Sequence, residues 1–542
     1  SFGQELTSGM GFYQLEHGEC VPTTERARIN NLLENNYRSL ETQGKLPAAR
    51  NEAAEYVWPV RQRPGFNYNS VYGISNYVDH NEGFSGNNNN NVIDYNCGDR
   101  SYDTGSGYNH TGTDIFTWPF SWQMMQDEQV EIVAITDGVI LGKDDFNPDQ
   151  NCSFDAGTGW NAVYVLHNDG GRSWYGHMKS GSLTDKVVGD PVEAGEFLGL
   201  IGSSGISTGP HLHLEIYDAD GDLIDPYDGT CNPTVTETWW AEQKPYREPT
   251  INTIMTHFGA PDFLGCPNPT QQVEFHRQSN CFERNDFVFF AAYFHDQLAG
   301  DPFTNTIYYP DGSVYETWER TAFTTYNASY WYRSFYIEND DPTGIWTYEV
   351  SYNEQTVTHQ FTVGDLTLAP IEGALVSGIG ELETYSITPQ DGFTYSWEVS
   401  GGTIVDENAE QGTIQVQWEN EMEGELCVTG ENAFACQTDT QCLTVDLSPV
   451  NISDIKGLDQ LQVLPNPARE RFRIQLTNTT KIEQLQIDLL DITGKVVQPI
   501  LSSALPSGST TLDVAVPHLA AGIYLLRVSD GAALGVTRLI VQ

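Results

Sequence analysis

From Tyr56 to about Trp240, apolar and polar residues alternate in short runs broken by Gly, Asn and Asp, as in VEIVAITDGVIL (130–141), NAVYVLHND (161–169) and HLHLEIYD (211–218). Period-two alternation bounded by turn residues predicts short β-strands. Two connections in this stretch read as long loops, one through the Asn run at 87–91 and one at 144–159. Long loops on a β scaffold are common places for substrate-binding surfaces. Ahead of it, Thr23 to Leu40 (TTERARINNLLENNYRSL) places apolar residues at helical spacing. That spacing predicts one amphipathic helix, with a Thr positioned to cap it. Beyond a linker at Pro245 to Pro249, alternation returns with aromatic residues in FVFFAAYF and GIWTYEVSY, then in YSWEVSGGTI and GTIQVQWE.

The predicted fold class is therefore mainly β. An N-terminal helical segment or pro-region (1–55) precedes a β-sheet domain (56–240). Two β-sandwiches follow (246–364 and 365–446), the second with an immunoglobulin or PKD-like pattern, and then a final β-rich unit (459–542). A chain of 542 residues exceeds what one core usually holds, which agrees with several domains.

Charge narrows the function. The formal net charge is -48, and phosphate backbones demand clustered Lys and Arg, so nucleic acid is excluded as a partner. Docking on anionic lipid is disfavoured for the same reason. No run reaches the roughly 18 to 20 apolar residues of a membrane span. No signal peptide is visible at Ser1, so the chain is expected to begin after signal cleavage. Nine cysteines without a CxxC pair read as scattered disulfides of an exported protein. The expected bridges are Cys97–Cys152, Cys266–Cys281 and one pair among Cys427, Cys436 and Cys442. The odd count leaves at least one thiol unpaired within the chain.

Three short motifs carry chemistry. In His110-Thr-Gly-Thr-Asp114, imidazole and carboxylate are both good Zn²⁺ ligands, and Gly112 between them would let the backbone bend so that both reach one ion. In HLHLEI, period two puts His211 and His213 on one face while Leu212 and Leu214 face the core. The two imidazoles then stand roughly 6 to 7 Å apart along the strand. His177 follows a predicted strand and turn in Tyr175-Gly176-His177-Met178. Each motif alone also fits ordinary surface histidines. Together they supply what a catalytic zinc needs, three protein ligands with one open position, plus two further imidazoles for proton transfer and oxyanion stabilisation. The residue types alone leave open which three bind the metal. Glu215 shares the face of His213 and is a candidate to orient a ligand, or a plain strand residue. His80 and His167 read as non-catalytic.

HxGxD at 110–114, YxHM at 175–178 and STGPHLHLE at 207–215 resemble the lysostaphin and LytM-type zinc metallopeptidases. VGDPVEAGEFLGLIGSSGISTGPHLHLEI (188–216) is similar to that family's glycine-punctuated hairpins, and the resemblance covers about 56–230. It implies a lysostaphin-type β-sheet peptidase with His110, Asp114 and His213 as zinc ligands, His211 as the base that activates water, and His177 as an aid to the oxyanion. It implies a peptide or peptidoglycan substrate, with glycine-rich proteins such as elastin as the alternative. A surface adhesin or scaffold is the non-catalytic alternative, but all five positions are filled. A further expectation, resting only on the helical pattern ahead of the catalytic start, is that residues 1–55 cover the groove.

LPNPARERFRI (464–474), LLDITGKVV (489–497) and LAAGIYLLRV (519–528) resemble the C-terminal sorting domain of type IX secretion cargo. That resemblance implies a bacterial protein that passes through the periplasm, engages the type IX machinery with this domain, and is secreted or held at the cell surface.

Overall fold

The structure, a computed structural model, describes residues 7–9, 19–47, 55–81, 92–104, 107–153, 159–263, 274–275, 277–364, 366–375, 377, 380–390, 392–419, 423–447, 455–491, 495–516, 519–532 and 534–542. The fold is mainly β, with two helices among the described residues. The chain divides into two compact units, residues 1–364 and 365–542.

The first unit carries the five motif residues on an antiparallel sheet, with Asp114, His211 and His213 on its strands and His110 and His177 just outside them. Its strands run in the order Tyr72–Asn76, Thr113–Thr117, His211–Tyr217, Arg172–Gly176, Ala162–His167, Gly138–Asp144 and Pro191–Val192, and Leu223–Ile224 also pairs with His211–Tyr217. A three-stranded sheet of Phe197–Leu200, Val130–Val133 and Val60–Gln62 packs with it. Ile115, Val163, Val165, Tyr175, Leu212 and Leu214 fill the core from the large sheet, and Ile132 and Leu198 from the small one. Burying such side chains contributes about 1.5 to 3 kcal/mol each.

The other face of the large sheet is covered by the helix Thr23–Thr42, which buries Ile29, Leu33 and Leu40 against Val139, Leu141, Ala162 and Tyr164. The expected Thr cap is not formed. Pro22 occupies the N-cap, and no side chain caps the helix. Proline fixes the approach to the first turn and has no N–H to satisfy there, so Thr23 begins the helix instead of capping it.

The first unit also contains a sandwich of two sheets. One runs Thr7–Gly9, Tyr326–Tyr336, Phe287–Gln297 and Thr250–His257; the other runs Cys281–Phe282, Gln355–Val363, Gly344–Tyr352, Pro302–Tyr308 and Val314–Thr321. Met255, Ala291 and Tyr293 of the former pack on Phe116, Trp118 and Phe120 of the sheet that carries the motifs. In the second unit, Trp397 and Trp418 centre one core and Phe472, Ile487 and Leu526 another.

Two cysteine expectations are settled by the topology. Cys97 bonds Cys231, with Cα atoms 5.1 Å apart, and not Cys152. The reason is local: the Cys231 amide donates to Tyr95 O at 2.9 Å and Tyr95 stacks on Tyr227, so the two loops are already held side by side. Cys427 bonds Cys442 directly across neighbouring strands. Cys266 and the Asn run at 87–91 lie outside the described residues. Cys20 is buried and in no disulfide.

Candidate active site

Strand register assembles the site. In the central strand His211–Tyr217, His213 lies opposite Asp114 on one side and Gly176 on the other. His177 follows Gly176 directly with φ of 59°, and the Trp160 ring packs edge-on against its imidazole. The turn is tight: a Cβ on Gly176 would stand 1.9 Å from the Trp160 ring. His110 enters three residues before the strand that carries Asp114.

Period two places Leu212 and Leu214 toward the core and predicts a half-buried strand with its polar face opposite. The polar face is buried as well: His211 is 3% exposed, and His213 and Glu215 are 0%. Gly112 also has a role other than the expected one. Its backbone is not left-handed; instead, a Cβ there would meet Leu214 O at 2.7 Å and the His213 ring at 2.8 Å. Glycine makes room for the imidazole.

Three donors converge. His110 Nε2 is 3.0 Å from Asp114 Oδ2 and 3.3 Å from His213 Nδ1, and His213 Nδ1 is 2.7 Å from Asp114 Oδ1. Donors held at zinc bond lengths around a tetrahedral ion stand about 3.3 Å apart, so the spacing fits one such ion. Each ring has a partner on its other nitrogen. His110 Nδ1 donates to Tyr77 O at 2.7 Å, and His213 Nε2 lies 3.0 Å from Glu215 Oε1. Arg26 grips both oxygens of Glu215, at 2.7 and 2.8 Å. Burial pushes the Glu215 carboxyl up, but Arg26 and His213 outweigh it and hold it well below the usual carboxylate range. Burial likewise opposes ionisation of Asp114, and His110 and His213 more than offset it.

The remaining pair stands beside this cluster. His177 and His211 have ring centroids 4.4 Å apart. His177 Nδ1 donates to Ser204 O at 2.6 Å, and His211 Nδ1 donates to Gly209 O at 2.8 Å. Both Nε2 atoms are buried without a hydrogen-bond partner among the described residues. A buried polar nitrogen left unsatisfied costs about 1 to 3 kcal/mol, so two of them aimed at one place mark a site for something else to bind.

His80 and His167 lie elsewhere: His80 Nε2 pairs with Asp225 at 2.8 Å, and His167 Nε2 lies 2.8 Å from Ser173 Oγ. Sequence reasoning missed Arg26 and Cys20. Cys20 Sγ falls within 4.8 Å of donor atoms of His110 and His213, and equally of His177 and His211. The odd cysteine count was the signal that one thiol had another use.

Residues 109–226 match Peptidase family M23, and residues 462–542 match the Secretion system C-terminal sorting domain. Among relatives, the glycyl-glycine endopeptidase ALE-1 of Staphylococcus capitis is 33% identical over 111 residues, 20% of this chain and 25% of that protein. Lysostaphin of Staphylococcus simulans is 45% identical over 58 residues, 10% of this chain and 11% of lysostaphin. The chain thus spans about a quarter or less of the length of these relatives. Among solved structures, the catalytic domain of the prophage-encoded M23 protein EnpA from Enterococcus faecalis aligns at 22% identity, covering 30% of this chain and 93% of that one, with a TM-score of 0.18.

The molecule therefore carries a peptidase domain. That domain is of family M23, the lysostaphin and LytM type, and a type IX sorting domain ends the described chain and addresses the protein to the cell surface or beyond. No helix among the described residues is long and apolar enough to cross a membrane.

Proposed function

We propose that this is a zinc-dependent endopeptidase that cleaves the cross-linking peptides of peptidoglycan outside the cell that makes it. The observation that carries the reading is the convergence of His110 Nε2 and His213 Nδ1, 3.3 Å apart, on the two oxygens of the Asp114 carboxylate at 3.0 and 2.7 Å, beside two imidazoles whose buried Nε2 atoms have no hydrogen-bond partner among the described residues. His110 and His213 through nitrogen and Asp114 through oxygen would hold the ion. Zinc at that place supplies Lewis acidity toward a peptide carbonyl and toward water.

The rest is done by the chain. With Nδ1 donating to Gly209 O, a neutral His211 presents a lone pair on Nε2. It takes a proton from the attacking water and returns one to the leaving amine. His177 is tethered the same way through Ser204 O. When charged, its Nε2 donates to the oxygen on which negative charge develops. Glu215, fixed by Arg26, orients His213.

Zinc titration of the metal-free full chain should give one tight site, lost in His213→Ala. Incubation of the loaded chain with purified peptidoglycan should create new amino termini, identified by mass spectrometry. Absence of a His213-dependent site sinks the metal assignment. New termini from elastin and none from peptidoglycan would replace the proposed substrate by glycine-rich protein.

A further inference from the structure

Three donors leave a tetrahedral zinc one open corner, the place where water and substrate must enter. A side chain of the same chain stands close to these donors. Cys20 Sγ shares one ligand-sized cluster with His110 and His213 and another with His177 and His211. The sulfur faces the metal-holding set and the proton-transfer pair together. Cys20 is 8% exposed and in no disulfide, and its Sγ lies 2.8 Å from Tyr102 Oη. The buried Nε2 atoms of His177 and His211 are the second, independent sign that this spot is built for a ligand.

The segment bearing Cys20 is fixed at several points. Val21 is buried. The helix begins at Thr23 and seats Ile29, Leu33 and Leu40 on the sheet. Arg26 binds both oxygens of Glu215 and reaches Thr111 Oγ1 at 3.1 Å. Glu215 in turn contacts His213. Arg28 pairs with Asp144 at 2.8 Å. The same residue, Glu215, is therefore shared between a metal-binding histidine and the covering segment.

Resting on the zinc reading above, we propose that Cys20 Sγ is a fourth protein ligand to the ion held by His110, Asp114 and His213, and that residues 19–47 thereby hold the peptidase closed. Thiolate is a strong zinc ligand, and four protein donors make a closed centre of the structural kind, whereas catalysis needs a vacancy. The occupied corner excludes the attacking water, and the same sulfur blocks Nε2 of His177 and His211. Withdrawal of the segment restores the open position without any change in the sheet.

The test uses the full chain with Co²⁺ in place of zinc. Wild type should show visible ligand-field bands of a four-coordinate ion together with a near-ultraviolet thiolate-to-cobalt band. Cys20→Ser should lose the thiolate band, keep ligand-field bands, and hydrolyse peptidoglycan at least about tenfold faster once zinc-loaded, since a larger fraction of molecules is competent. Leu33→Asp, which unseats the helix while leaving the thiol in the chain, should weaken the band and raise turnover in the same direction, and it serves if Cys20→Ser does not fold. Ligand-field bands without a thiolate band in wild type overturn the proposal and leave the zinc site standing. No cobalt bands at all overturn both. A thiolate band with no gain of turnover in either variant overturns the closed state.

Discussion

Two strands with the same sequence rhythm behave differently. Phe393–Ser400 in the second unit alternates strictly, with Phe393, Tyr395 and Trp397 buried and Thr394, Ser396 and Glu398 exposed. His211–Tyr217 alternates as strictly in chemistry, yet both its faces are buried. Alternation in a sequence reports that a strand has two unlike faces. It does not report that the polar one is wet. Where a polar face is buried, each group on it needs a partner, and His211, His213 and Glu215 find theirs in a carbonyl, Asp114 and Arg26. The difference separates a site from a surface.

The sharpest way to break the comparison is to remove a polar side chain from the buried face. His213→Ala takes away one proposed metal donor, the contact to Asp114 and the contact to Glu215 together. Turnover of peptidoglycan by the opened, zinc-loaded enzyme is expected to fall by at least about three orders of magnitude, because a site of two protein donors no longer holds the ion in place. Elemental analysis of the dialysed protein should show the metal gone.

Glu215→Gln is expected to be smaller and different in kind. Both oxygens of Glu215 are used by Arg26 and one also faces His213, while Tyr217 Oη donates to the other. Gln keeps the shape but removes the charge, so Arg26 is left without its counter-ion and His213 loses an anionic acceptor. Metal affinity should drop about 10- to 100-fold, read by competition with a chromophoric chelator. An unchanged affinity would mean that Glu215 serves only to seat the covering segment.

A second buried carboxylate shows what the cation does. Glu274 is paired with no arginine among the described residues; it accepts from the Gln123 amide at 2.9 Å, at the start of the short helix Ser121–Gln126. Burial pushes it up to about 7 against partial relief from those backbone donors. The folded state therefore binds this proton more tightly than the unfolded chain, whose carboxyl titrates at 4.5. The stability this group contributes is full below about pH 4.5 and is lost as pH rises through 7. Glu274→Gln should be neutral near pH 4 and stabilising by on the order of 2 kcal/mol near pH 8 in denaturant titrations. Equal effects at both pH values would remove the contrast with Glu215.

How much of this was legible follows from how local each signal is. The shared face of His211 and His213, the strand carrying them and the helix after Pro22 follow from periodicity within ten or twenty residues. The convergence of His110 with a strand a hundred residues later was legible only through the family's ordered motifs, since register is a property of the folded sheet. The Cys97–Cys231 bridge and the Glu215–Arg26 pair were not legible, because each joins loops or elements more than a hundred residues apart with no pattern of their own. Cys20 was visible only as a surplus thiol. A cysteine ahead of a helix says nothing of what it will face until Ile29, Leu33 and Leu40 find their sheet.

The smallest expected effect completes the comparison from its other side. Glu398 lies on the strand Phe393–Ser400, opposite Cys427 in register, and its side chain is exposed. Like Glu215, it is a glutamate on the polar face of a strictly alternating strand. Yet water already satisfies its carboxylate in both the folded and unfolded states, so removing it leaves no group unpaired. Glu398→Ala should shift stability by no more than about 0.5 kcal/mol and leave metal affinity and turnover unchanged. Thermal melts of the full chain, with zinc titration alongside, check both halves. A large loss at Glu398 would mean that the polar face of this strand is covered in the working protein as the face of His213 is, and that burial within one chain does not by itself tell a site from a surface.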